Sequence, residues 1–143
     1  MQEGLKLFIE YGILGFLGLL SFISVWLGIE RWLHYRDVKI SDFDNRHDLE
    51  IDITRNLTLI STIAANSVYI GLLGTVLGIM LTFASLGETG LVDSKTIMQS
   101  LSYTLIATAA GLLVAIPAIV IYNLLARKTE TIMAKWEKLY GKD

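Results

Sequence analysis

The chain has 143 residues, 53% hydrophobic and 18% charged, with a formal net charge of −2 and a mean hydropathy of +0.55. That balance is too apolar and too poor in charge for an ordinary water-soluble domain. No cysteine is present, which excludes disulfides, thiolate metal sites and thiol nucleophiles.

Charge is missing from three stretches: Tyr11–Ile29, Asn56–Gly87 and Thr96–Ala126. About 20 mostly apolar residues carry a helix across a hydrocarbon core about 30 Å thick, and each stretch is long enough. The first predicts a span over about 8–29. Ahead of it, MQEGLKLFIE holds one lysine against two glutamates, and no small-x-small site precedes Glu30-Arg31. A retained helix is therefore expected rather than a cleaved signal. Trp26 and Trp32 bracket its far end, where amphipathic rings favour the membrane–water boundary.

A polar segment over 30–56 follows. Within it, Ser41-Asp-Phe-Asp44 loosely fits a capping box, and a charged helix is expected to run from there through Arg55 into the second span. His34 and His47 match no metal-binding pattern, and the acids at 42–52 lack the glycine and final glutamate of a calcium loop. Neither a metal nor a cofactor is expected.

The second span is predicted over about 57–86, a link over 87–95, the third span over about 97–126 and a tail over 127–143. The two later stretches exceed what a bilayer requires, so tilt or protrusion is expected. In the tail, Ile132, Met133, Trp136, Leu139 and Tyr140 share one face, opposite lysines. That face suits a membrane surface, a neighbouring helix, or the protein's own cytoplasmic extension. Of the twelve Lys and Arg residues, only Lys6 precedes the first span and only Lys95 lies in the link. The positive-inside rule then places the N-terminus and the link outside and the C-terminus inside. The expectation is an all-α membrane protein, one domain over 1–143, with three transmembrane helices, the second and third long and extending into the cytoplasm.

On a helical grid Ser67, Gly71, Gly74, Gly78, Thr82 and Ser85 form one stripe, with Thr75 beside it. The third span repeats the design with Ser100, Thr104, Ala107, Thr108, Gly111, Ala115 and Ala118. Lipid tails supply no hydrophobic force between helices, so small residues gain contact by letting backbones approach. The glycines are expected to admit another helix, and Gly78→Leu to disrupt oligomerisation. Packing alone also explains the stripes. Hydroxyls can bond to the preceding turn, and Pro117 can be a tolerated kink.

What the spans lack is a deep charge: Glu10, Glu30, Glu88 and Asp93 fall at span ends or in links. Intramembrane carboxylates are the usual proton relays. A proton path through this chain needs a carboxylate from a second protein, with Thr75 and Thr108 as neutral neighbours.

Two stretches, YIGLLGTVLGIMLTF (Tyr69–Phe83) and LIATAAGLLVAIPAIVIYNLLAR (Leu105–Arg127), resemble the ExbB/TolQ/MotA family of proton-channel proteins. The resemblance implies a ring in the bacterial inner membrane, a homo-pentamer in the family, whose second and third helices line a pore. The pore holds the helices of an ExbD-like dimer, a single-span partner that supplies a membrane aspartate. The resemblance further implies coupling of the proton motive force to a TonB-like protein, and so to outer-membrane uptake of iron–siderophores and cobalamin.

The family's pore threonines align with Thr75 and Thr108, and Tyr103, Thr104, Ser67 and Thr82 are secondary pore candidates. Gly71, Gly74, Gly78 and Gly111 are assigned to helix packing. Two positions depart from the family. Tyr103 replaces a common glutamate, and Asn66-Ser67-Val68 replaces a proline-containing stretch. Tyrosine, with a pKa of about 10, is a poor proton carrier at neutral pH. A TolQ-like role in envelope constriction is the nearest rival. A stand-alone channel, a scaffold and a membrane enzyme are more distant ones. No enzymatic activity and no nucleic-acid partner are expected.

Overall fold

The computed structural model describes residues 2–90 and 93–141, and these are helical nearly throughout. Leu91 and Val92 of the expected link, and Lys142 of the tail, lie outside the described residues. Helix α1 covers Gln2–Asp37, a 3-10 turn Ile40–Asp42, α2 Arg46–Thr54, α3 Leu57–Thr89 and α4 Ser94–Tyr140. Helices α1, α3 and α4 are each long and apolar enough to cross a membrane. With 47 residues, α4 is about 70 Å long at 1.5 Å per residue and must protrude well beyond the hydrocarbon. It continues unbroken through Pro117.

The three long helices form an up-down-up bundle. Gly28 of α1 abuts Ile121 of α4, Ile13 abuts Gly74 of α3, and Gly78 abuts Thr104. Helix α3 therefore runs antiparallel to both others. One end of the bundle carries Arg31, Arg55, Arg127 and Lys128, and is called the basic end. The other, the link end, carries Lys6 and Lys95.

Helix boundaries follow from capping chemistry. Gly90 closes α3 with φ 67°, and its N–H donates to Leu86 O at 2.9 Å. A left-handed residue at that position favours glycine. Asp93 caps α4, accepting from the Lys95 N–H at 3.2 Å and the Thr96 hydroxyl at 2.9 Å.

Two expectations for the polar segment need correction. The residue capping α2 is Asn45, whose side-chain oxygen accepts from the Asp48 N–H at 2.8 Å, while Ser41 lies in the 3-10 turn. The charged helix also does not run on into the second span. Asn56 takes φ 68°, which ends the α2 register and starts α3 afresh. Asparagine is one of the few non-glycine residues that visit this conformation readily.

The broken helix folds back into a core at the basic end, where Tyr35, Leu49, Ile53, Leu57, Ile60, Leu125, Ile132 and Trp136 pack together. Of the three possibilities for the tail, the structure takes docking on the protein's own extension: Trp136 Nε1 donates to Phe43 O at 3.2 Å. Leu139 and Tyr140 stay exposed.

Polar groups here are satisfied by a cross-brace from α1 to α2. Arg31, 3% exposed, pairs with both oxygens of Glu30 at 2.5 and 2.6 Å and donates to Asp52 O at 2.9 Å. His34 Nε2 lies 2.6 Å from the Asp52 carboxylate, and the Tyr35 hydroxyl donates to Ile53 O. The Arg31 hydrogen bond holds the Glu30 carboxyl below its ordinary range, and burial pushes the Tyr35 phenol up to about 12.

Candidate functional site

Between α3 and α4 the seam is built by what its residues omit. A Cβ placed on Gly71 would stand 2.5 Å from Ala107 O and 3.1 Å from the Gly111 Cα. One placed on Gly111 would stand 2.5 Å from Ser67 O. The two backbones touch, and no side chain fits between them. Gly78 gives its space to Thr104, whose Cγ2 would lie 2.5 Å from an added Cβ. Gly74 is shared by three helices, with Ala107 and Ile13 each 2.9 Å from its open position.

The glycine stripe therefore fits α3 to α4 of the same chain. The helix that Gly78 admits is α4, whose Thr104 fills its space.

The hydroxyls on this seam divide into two kinds. Ser67, Thr82 and Thr104 each donate to the carbonyl four residues earlier, at 2.6, 2.9 and 2.8 Å. These bonds satisfy a buried hydroxyl within its own helix. Thr75 behaves differently. It crosses to α4, donating to Thr104 O at 3.2 Å and forming a short contact with the Thr108 hydroxyl. With the Thr75 proton on Thr104 O, the proton within the hydroxyl pair comes from Thr108. The pair then offers only lone pairs to anything outside it.

Thr75 is 6% exposed, while Thr108 remains partly open. Tyr103 does not join them. Five residues before Thr108, it is rotated by about 140° around α4, and it is 63% exposed.

Toward the link end a polar cavity of about 160 Å³ opens, lined by Lys6, Thr82, Ser85, Thr96 and Ser100 among others. Lys6 Nζ donates to Thr82 Oγ1 at 3.3 Å, so α1 contributes a cation to this end of the seam. Sequence reasoning passed over α1 here. Its signal was the spacing Lys6, Glu10, Ile13, Leu17, which continues the helix's buried face. Among the described residues no cluster of His, Asp and Glu could hold a metal ion.

The seam thus joins two touching backbones and gathers the hydroxyls of Ser67, Thr75, Thr82, Thr104 and Thr108. The sequence profile of the MotA/TolQ/ExbB proton channel family matches residues 34–138. The chain belongs to that family.

Among proton-channel relatives, the biopolymer transport protein ExbB of Aquifex aeolicus is 47% identical over 141 residues, 99% of this chain and 95% of the relative. The ExbB of Helicobacter pylori is 44% identical over 132 residues, 92% of this chain and 91% of the relative. The Tol-Pal system protein TolQ of Pseudomonas aeruginosa is 34% identical over 87 residues, 61% of this chain and 38% of that protein. The seam lies inside the stretch that the family profile covers.

Proposed function

We propose that this chain is the ring-forming subunit of an ExbB–ExbD-type proton motor in a bacterial inner membrane, and not an enzyme. A homo-oligomer, a pentamer by family resemblance, surrounds the helices of an ExbD-like partner. The motor passes the energy of the proton gradient to a TonB-like protein for outer-membrane uptake of iron–siderophores and cobalamin. The observation that carries this reading is the Thr75–Thr108 pair. It is a cross-helix hydroxyl contact in a seam whose uncharged stretches hold no acidic residue of α3 or α4.

In this mechanism the partner's aspartate meets Thr108. While Thr108 donates to Thr75, only a protonated carboxyl, which can itself donate, completes the contact. Ionisation leaves two acceptors facing each other until the Thr108 proton turns toward the carboxylate. The threonine pair thereby responds to the partner's protonation state without taking up a proton. A unit charge crossing 100 mV releases about 2.3 kcal/mol, enough to exchange one such hydrogen-bond arrangement for another.

The clustering of basic residues at one end of the bundle supports a cytoplasmic C-terminus, with the N-terminus and link periplasmic. The TolQ-type alternative has weaker support, because likeness to TolQ covers a smaller share of the chain than likeness to ExbB.

The test is complementation in a bacterium lacking its own ExbB-type proteins, with the chain expressed beside its cognate single-span partner. Growth on a siderophore as sole iron source, abolished by collapsing the proton gradient, is the expected result. Restored outer-membrane constriction in a strain lacking TolQ, with no siderophore uptake, would favour the rival.

A further inference from the structure

Helix α1 turns one face toward α3 and α4, marked by its buried residues Leu17, Ser24, Gly28, Arg31 and Tyr35. Followed toward the link end at spacings of three and four, the same face takes in Ile13, Glu10 and Lys6. Both neighbours of Glu10 on this face touch α3: Lys6 through its bond to Thr82, and Ile13 through its contact at Gly74. Glu10 lies between them, half-buried, at about the level of Gly78. Its Oε1 is buried and has no hydrogen-bond partner among the described residues.

Glu10 is half-buried as a residue, and a covered carboxyl oxygen without a donor is an exception that calls for a role such as proton exchange. Lys6, one turn away on the same helix, directs its ammonium to Thr82. At about this level α3 carries Gly78, whose space Thr104 of α4 fills, and Thr82, which Lys6 meets. Tyr103, the titratable residue of α4 beside this level, is exposed. The charged residues Glu88, Asp93 and Lys95 lie at the link-end limits of α3 and α4.

We propose that Glu10 is a proton-exchanging carboxyl of this chain. It exchanges protons with the cavity at Lys6 and Thr82, one turn away, on the link-end side of the Thr75–Thr108 pair. Glu10 stands outside that cavity's lining, so a water between them accepts the proton of a hydronium ion in the cavity and passes one of its own to the carboxylate; release is the reverse. The inference rests on the proton-motor reading and adds to it a carboxyl supplied by the ring-forming chain itself.

The test uses the full chain with its single-span partner in lipid vesicles, reading two quantities. Infrared difference spectra across a pH titration report carboxyl protonation, and a pH-sensitive dye reports proton flux. The expected result is a protonated-carboxyl band that Glu10→Gln lacks, with flux lowered about 100-fold, the scale of a positioned proton-transfer group. Complex mass should be unchanged, and flux should be partly restored in Glu10→Asp.

An unchanged band in Glu10→Gln, or flux within about twofold of the parent, overturns the proposal; either alone is sufficient. If Glu10→Gln fails to assemble, Glu10→Asp decides, because its band must shift and an unshifted band overturns the assignment. Absence of flux from the unsubstituted complex counts against the motor reading, while the band still decides Glu10.

Discussion

Thr75 and Thr108 differ from the other seam hydroxyls in where their protons go. Thr75 can donate across the seam to Thr104 O, and its contact with the Thr108 hydroxyl lets either oxygen be the donor. Replacing Thr108 with Val removes the group proposed to meet a partner's carboxyl. Replacing Thr75 with Val leaves the Thr108 proton without its acceptor. Both variants are expected to abolish siderophore-dependent growth while ring mass by native mass spectrometry stays unchanged. Thr108→Val, which removes one hydrogen bond, should lower stability by about 0.5–1.5 kcal/mol, and Thr75→Val, which removes two, by up to about 3 kcal/mol. Thr108→Ser keeps the hydroxyl and should retain most activity. Tyr103→Phe should also retain activity, because that side chain points away from the pair.

At the scale of elements, two kinds of force hold the molecule together in two different solvents. The basic-end core buries Leu49, Ile53, Ile60 and Trp136, where removing apolar surface from water is worth about 1.5–3 kcal/mol for each large side chain. The α3–α4 seam lies among lipid-length apolar helices and relies on contact between backbones. The same substitution should therefore have opposite effects in two places. Gly71→Ala forces a Cβ against Ala107 O and is expected to destabilise by about 1–3 kcal/mol. Gly15→Ala meets nothing within 4 Å and should be neutral or stabilising, by up to about 1 kcal/mol from helix propensity. Thermal unfolding in detergent compares the two.

The α1–α2 brace gives a pH signature. A phenol whose pKa is raised on folding contributes stability below its unfolded value near 10, and loses it as pH rises toward about 12. Alkaline titration by tyrosinate absorbance should show a phenol titrating near 12 that is absent in Tyr35→Phe.

How far the elements were legible in the sequence depended on what decided them. The three apolar helices follow from long uncharged stretches, and the stripe of Gly71, Gly74 and Gly78 from spacing alone. The break at Asn56 was hidden because a left-handed asparagine leaves no pattern distinct from a helical one. The shift of the cap from Ser41 to Asn45 reflects two competing capping residues a few positions apart. The partner of the glycine stripe was illegible for a different reason. A helical wheel identifies the face that welcomes a neighbour, but not whether that neighbour comes from the same chain. Glu10 looked terminal along the sequence, and only the packing of Lys6 and Ile13 on α3 shows it half-buried.

For the whole molecule, the fold is a three-helix bundle with a cavity at its link end and an apolar core at its basic end. Helix α4, running unbroken from the polar cavity beside Lys6 to the core beneath Trp136, joins the two ends. Trp136→Ala should release the tail from α2 at a cost of about 3–5 kcal/mol and expose it to protease from the basic side, with the link end unaffected.

The central claim is that this chain carries a seam fitted to a foreign carboxyl and does not complete a proton path by itself. Proton flux into vesicles, measured with a pH-sensitive dye under an imposed membrane potential, tests it most directly. Flux is predicted only when the single-span partner is present, and it should vanish in Thr75→Val or Thr108→Val. Equal flux from vesicles holding this chain alone, at the rate of the full complex, would contradict the account.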